Sequence, residues 1–156
     1  MAGDIVSLSL PDAAATEALG RSLAPLLRPR DVIALHGDLG AGKTTLARGL
    51  IRELARDAAL AVPSPTFTLV EIYETPAGPL WHFDLYRLNN PDEAWELGIE
   101  QGFAEAISLI EWPERLGALL PATRLDLTLA IDGEARRATL SGGEAWPQRL
   151  AKMVTA

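Results

Sequence analysis

The chain has 156 residues, of which 48% are hydrophobic and 22% charged, with a formal net charge of -7 and no cysteine. That length fits one core of the usual roughly 100–200 residues, and the composition is too apolar for disorder and lacks the roughly 20-residue apolar run of a membrane span. Disulfides, thiol catalysis and cysteine-ligated zinc are excluded, and an N-terminus without basic residues lacks the pattern of a secretory signal, so a cytoplasmic location is expected.

In chain order, Ile5 to Leu10 alternates apolar and polar residues and predicts a strand. Pro11 and Asp12 are helix-start signals, and a helix is expected from Asp12 to Leu27. Asp31 to His36 is a short, nearly continuous apolar run, as in a strand buried on both faces. A glycine-rich segment follows, then Thr44 to Arg56 with helical periodicity. Thr66 to Tyr73 and Leu80 to Leu85 predict an antiparallel hairpin around a turn at Thr75 to Pro79. Asp92 to Gly98 predicts a short helix, Ala106 to Trp112 a buried strand, and Pro113 the start of a brief helix that ends by Pro121. Leu125 to Ile131 and Ala135 to Leu140 flank Asp132-Gly133 as a second hairpin, and the tail from Gly143 is expected to be helical. No repeat or long linker divides the chain, so residues 1–156 are expected to form a single domain.

The segment Gly37-Asp38-Leu39-Gly40-Ala41-Gly42-Lys43-Thr44 lies between a strand and a helix. That is the order a phosphate-binding P-loop demands. Its glycines let successive N–H groups converge on phosphate oxygens, and the helix that starts there directs its positive end at the same anion. The lysine of this pattern, Lys43, reaches the β- and γ-phosphates, and the hydroxyl of Thr44 can ligate Mg²⁺. Such a site also needs a carboxylate from a neighbouring strand. Asp84 and Glu111 both stand at strand ends. The Glu111 strand has the cleaner apolar run expected of a central parallel strand, and Asp84 lies nearer an edge or hairpin; one could serve the metal and the other the attacking water. Ser64-Pro65-Thr66 falls where a threonine of the first switch loop senses the γ-phosphate in related folds, though it reads equally well as a strand start. His36 and His82 are lone histidines within apolar strands and read as core or supporting residues rather than bases. Trp81, Trp95 and Trp146 read as packing residues, and Trp112 either packs or lines the nucleotide site.

GDLGAGKTT (Gly37 to Thr45), SPTFTLVEIY (Ser64 to Tyr73), HFDLYRL (His82 to Leu88), ELGI (Glu96 to Ile99) and LIEWPE (Leu109 to Glu114) occur in that order. Together they resemble the TsaE family, formerly YjeE, the small ATPases of bacterial tRNA threonylcarbamoyladenosine (t6A) synthesis. The resemblance runs from Leu10 nearly to the end and is weaker after Pro121. It implies an α/β P-loop fold, a three-layer sandwich with a mixed, largely parallel sheet and hairpin additions. It also implies ATP and Mg²⁺ binding, slow hydrolysis, and association with TsaB and TsaD, the proteins that modify adenosine beside the anticodon. It assigns the loop from Gly37 to Thr45 to phosphate binding, Thr44 and Glu111 to Mg²⁺, and a part in hydrolysis to Asp84. Lys43, Asp84 and Thr66 are therefore the candidate catalytic residues, with Trp112 a candidate nucleotide contact. The family's adenine contacts are expected near Pro11 to Thr16 and in the C-terminal hairpin.

An acidic chain without a basic cluster is a poor stand-alone nucleic-acid binder, so tRNA is expected to enter only through the partner complex. No arginine is an obvious finger for the transferred phosphoryl group. Arg87 is nearest by motif, and a partner could equally supply one. A small-molecule kinase on the same fold, or a nucleotide-dependent binding module without needed catalysis, are the rival readings.

Overall fold

The computed structural model describes residues 3–155. Seven strands form one sheet: β1 (Gly3–Leu10), β2 (Val32–His36), β3 (Val70–Thr75), β4 (Gly78–Asp84), β5 (Ile107–Glu111), β6 (Leu125–Asp132) and β7 (Ala135–Gly142), in the order β1-β7-β6-β2-β5-β4-β3. The centre, β6-β2-β5-β4, is parallel throughout. Antiparallel strands complete both sides, β7 and β1 beyond β6, and β3 beyond β4. Parallel pairing brings the C-terminal ends of β2, β4 and β5 to one edge, where open α/β sheets place their ligands.

Helices cover both faces, which makes the expected three layers. On one face lie α1 (Ala13–Leu23), α2 (Lys43–Ala55) and α5 (Trp146–Thr155). Leu19, Leu23, Leu46, Leu50, Ile51 and Leu150 pack there against Ile33, Leu35, Leu109 and Leu127 of the sheet. On the other face α3 (Glu93–Glu96), α4 (Ile99–Glu105) and a 3₁₀ segment over Pro113–Leu119 cover Val32, Phe83 and Ile110. No helix among the described residues is long and apolar enough to cross a membrane.

The expected first helix is shorter than its apolar stripe suggested. It ends at Leu23 and tightens into a 3₁₀ turn over Ala24–Leu26, where Pro25 has no N–H to continue the ladder. β3 starts at Val70 rather than at Thr66. Pro65 turns the chain instead: the Leu69 N–H donates to its carbonyl, and Leu69 sits at a positive φ of 70°. Thr66 is thereby freed from any ladder. α4 was not anticipated, because Gly98 and Gly102 interrupt its periodicity. Both glycines lie against Trp81: a Cβ would come 3.1 Å from its ring at Gly102 and 3.3 Å at Gly98, which also sits at a φ of 80°. Trp95, expected to pack, is 46% exposed on α3.

Candidate active site

β2 is buried and ends at His36, and the chain then turns through the glycine loop into α2. Gly42 caps α2 at φ 105°, a left-handed conformation that favours glycine and points the first helical N–H groups into the loop. α2 has 13 residues, long enough to present a substantial positive end to an anion. Lys43 opens it and is buried, with its Nζ donating to the Gly37 carbonyl at 2.6 Å and standing 3.5 Å above the Trp112 ring. Burial pushes this ammonium below its usual 10.5, opposed by the charges of Glu111, Glu114, Asp84 and Asp38.

The two candidate carboxylates are direct register partners. Asp84 on β4 lies opposite Glu111 on β5, which in turn lies opposite Leu35 on β2. The central parallel strand expected for Glu111 is the one observed, and β4 stands second from the sheet edge within the predicted hairpin. Both carboxylates are at most 5% exposed. The Thr44 hydroxyl donates to the Glu111 carboxylate, 3.3 Å from each oxygen. These are long contacts for O–H···O, open enough to admit a cation between the two groups. Asp84 accepts from the Tyr86 N–H at 3.0 Å and from the Thr66 hydroxyl at 3.3 Å. Ser64 extends the chain, its Oγ 2.7 Å from Thr66 Oγ1. Among the described residues no cluster of three or more histidines, aspartates and glutamates forms a complete metal cage. The donor set fits Mg²⁺ instead, which is usually held by one or two carboxylates together with substrate phosphates; Thr44 and Glu111 are the residues that would hold it.

A cleft of about 320 Å³ gathers these groups, lined by Leu39, Gly40, Gly42, Lys43, Thr44, Thr45, Ser64, Thr66, Asp84, Glu111 and Trp112. A second cleft of about 210 Å³ shares Gly40, Gly42 and Thr45 and is otherwise formed by Asp12, Ala13, Thr16, Ala41, Glu134 and Arg136. The loop thus separates an acidic, hydroxyl-rich recess from one built by the start of α1 and the β6–β7 hairpin. Gly37 takes part through its carbonyl, whereas Asp38 is exposed and contributes charge. Arg87 does not line the phosphate recess; its guanidinium lies 4.6 Å over the Phe67 ring.

Two contributors, Ser64 and Arg136, had no role assigned from the sequence. Ser64 had a signal, being two residues from Thr66. Arg136, which donates to the Gly40 carbonyl at 3.2 Å, is brought from 96 residues away by sheet topology; the C-terminal hairpin that carries it was expected near the nucleotide, but nothing singled out this residue. His82 is the buried supporting residue expected of a histidine in an apolar strand, but its partner Glu111 was not identifiable.

The family model for the threonylcarbamoyl adenosine biosynthesis protein TsaE matches residues 10–139. The chain belongs to the TsaE family. Among its relatives are proteins named tRNA threonylcarbamoyladenosine biosynthesis protein TsaE. That of Rickettsia bellii is 36% identical, the match covering 78% of this chain and 84% of the relative. The Bacillus subtilis protein is 37% identical over 78% and 75% of the two chains, and the Synechocystis protein 44% identical over 70% and 71%. The crystal structure of B. subtilis YdiB superposes with a TM-score of 0.76 at 26% identity, covering 99% of this chain and 97% of that one. The family match includes the glycine loop, Thr66, Asp84 and Glu111, runs on past Pro121 through β6 and stops within β7.

Proposed function

We propose that this chain is a Mg²⁺-dependent ATPase of tRNA t6A biosynthesis that acts on TsaB and TsaD as a nucleotide-driven switch. The observation that carries the catalytic part is the meeting of Thr44 with Glu111 beside Lys43, across one recess from the Ser64–Thr66–Asp84 hydroxyl and carboxylate chain. The tRNA part is supported by family membership and by the names of the relatives.

Phosphoryl transfer to water depends on positioning and charge neutralisation more than on covalent chemistry. The loop amides and Lys43 hold the β- and γ-phosphates, with Lys43 leaving the Gly37 carbonyl to do so. Mg²⁺, when bound at Thr44 and Glu111, supplies positive charge to the phosphate oxygens. Asp84 is placed to accept the proton of an attacking water that Thr66 orients. The second cleft, with Asp12 and Thr16 on one wall and Glu134 and Arg136 on the other, suits the base and ribose. With Arg87 occupied by Phe67, a cation supplied by TsaB–TsaD would complete the site, giving slow turnover alone and faster turnover in the complex.

Steady-state hydrolysis with and without TsaB–TsaD tests this directly, together with co-purification in ATP, in ADP and without nucleotide. Equal turnover in both settings would remove the partner-gated mechanism, and failure to co-purify in any nucleotide state would remove the assignment to TsaB–TsaD. The kinase alternative calls for cations over the phosphates, whereas residues 89–106 carry Asp92, Glu93, Glu96, Glu100 and Glu105 and no lysine or arginine. Transfer of labelled phosphate to water rather than to metabolites separates the two.

A further inference from the structure

His82 is completely buried on β4, two residues before Asp84, and its Nε2 lies 2.7 Å from Glu111 Oε2. The register explains the contact. Asp84 is opposite Glu111 and His82 opposite Leu109, so His82 is the diagonal neighbour of Glu111 on the face that packs against α2. A carboxylate only accepts, so the hydrogen of this bond resides on Nε2. The other ring nitrogen, Nδ1, is buried with no hydrogen-bond partner. A buried imidazole satisfied at one nitrogen only is a poor core residue, since burying an unpaired polar atom is unfavourable where a leucine would cost nothing. Leu80 and Leu109 show that aliphatic side chains fill neighbouring positions of this layer.

We infer that His82 is a positioning residue for Mg²⁺ coordination: it ties down Oε2 of Glu111 and so fixes the carboxylate within reach of the Thr44 hydroxyl through both oxygens, leaving Oε1 free for the cation. The inference rests on the proposed Mg²⁺-nucleotide site and names the residue that gives it its geometry. Thr44 also donates to Glu111, but a metal on its hydroxyl oxygen would redirect that hydrogen, leaving His82 as the tether that persists. Orienting partners of metal ligands commonly contribute about 10–100-fold to metal affinity.

The experiment titrates Mg²⁺ into wild-type protein carrying a fluorescent ADP analogue, alongside binding of the analogue in EDTA and thermal melting of each variant. In His82→Leu the half-saturating Mg²⁺ concentration should rise about tenfold or more, with binding in EDTA unchanged. His82→Gln places an amide N–H near the Nε2 position and should restore wild-type Mg²⁺ dependence, whereas the shorter His82→Asn should not. Should the leucine variant fail to fold, the glutamine–asparagine contrast carries the same decision. A folded His82→Leu protein with wild-type Mg²⁺ affinity, or glutamine and asparagine variants equally impaired, overturns the positioning role while leaving the nucleotide site intact. Wild-type binding with no Mg²⁺ dependence at all overturns the metal-site reading, and this inference with it.

Discussion

The Lys43 ammonium stands 3.5 Å above the centroid of the Trp112 ring and donates to the Gly37 carbonyl at 2.6 Å. Both contacts occupy the cation that a nucleotide would engage, so binding exchanges a carbonyl and a ring face for phosphate oxygens. Lys43→Ala should weaken ATP binding about 10–100-fold, the scale of lost hydrogen bonds to a charged group. Displacing the ammonium should also change Trp112 emission. Trp112→Phe should therefore abolish most of the nucleotide-induced fluorescence change while Trp81 and Trp146, buried elsewhere, stay silent. A full signal from the phenylalanine variant would show that Lys43 does not move.

The same lysine gives the stability a definite pH dependence. Its pKa in the folded chain is lowered from 10.5, chiefly by burial. Between that lowered value and 10.5 the unfolded chain binds more protons at this group than the folded chain does, so its contribution to stability rises with pH across the window. Below the window the burial penalty is present in full. The melting temperature of wild-type protein relative to Lys43→Met should therefore improve as pH climbs towards 10.5. Tyr73 acts in the opposite sense, its pKa raised above 10.0 by burial and then by Glu71. It is common to both proteins and cancels in the comparison. Bound nucleotide, which favours the ammonium, should flatten the difference; a gap that widens against wild type with rising pH contradicts this account of Lys43.

Asp84 and Thr66 act as a unit in the proposed hydrolysis, linked at 3.3 Å with Ser64 behind them. Asp84→Asn keeps the shape and removes the proton acceptor. It should lower turnover about 10²–10⁴-fold, the range of general acid–base contributions, with ATP affinity little changed. Thr66→Val should cost about tenfold, the scale of one hydrogen bond. The double variant should be scarcely slower than Asp84→Asn alone, since residues that share one task are not additive. Single-turnover rates decide it: losses that multiply would assign the two residues independent roles.

Most of the fold was legible because its signals are local. The apolar run of β2, the glycine loop and the periodicity of α2 predict one another, and Asp132-Gly133 marks the β6–β7 turn. Lys43, Thr44, Asp84, Glu111 and Trp112 were identifiable and meet in one recess. What remained hidden depends on register and on packing between distant segments. Nothing near His82 indicates that Glu111, 29 residues on, ends beside its ring. Thr66 was placed on a strand because its neighbours are β-formers, yet the Pro65 turn decides where β3 begins. Trp95 illustrates the opposite failure: a large aromatic residue suggests core, but α3 has only four residues and its Ala94 takes the buried position.

The crossing of α1 on α2 was equally invisible, and it carries the sharpest stability prediction. A Cβ at Gly49 would lie 2.2 Å from the Glu17 carbonyl oxygen, and one at Gly20 would lie 2.2 Å from that of Leu46. Each clash is with backbone, so no rotamer change relieves it and the helices must separate. Alanine in place of a helical glycine gains about 0.5–1 kcal/mol of helix stability, whereas forcing a packed interface apart costs about 1–3 kcal/mol, occasionally more. The clash should win, and Gly49→Ala should lower the midpoint of urea unfolding. Gly143→Ala, where an added Cβ meets nothing within 4 Å, should stay within about 0.5 kcal/mol of wild type. Separation also moves Asp12 and Thr16, at the start of α1, away from Gly42 and Thr45 in the second cleft. Gly49→Ala should therefore weaken ATP binding as well as stability, although its own position lies outside the cleft. A Gly49→Ala protein as stable as wild type would mean that the two helices are not held at the distance seen here.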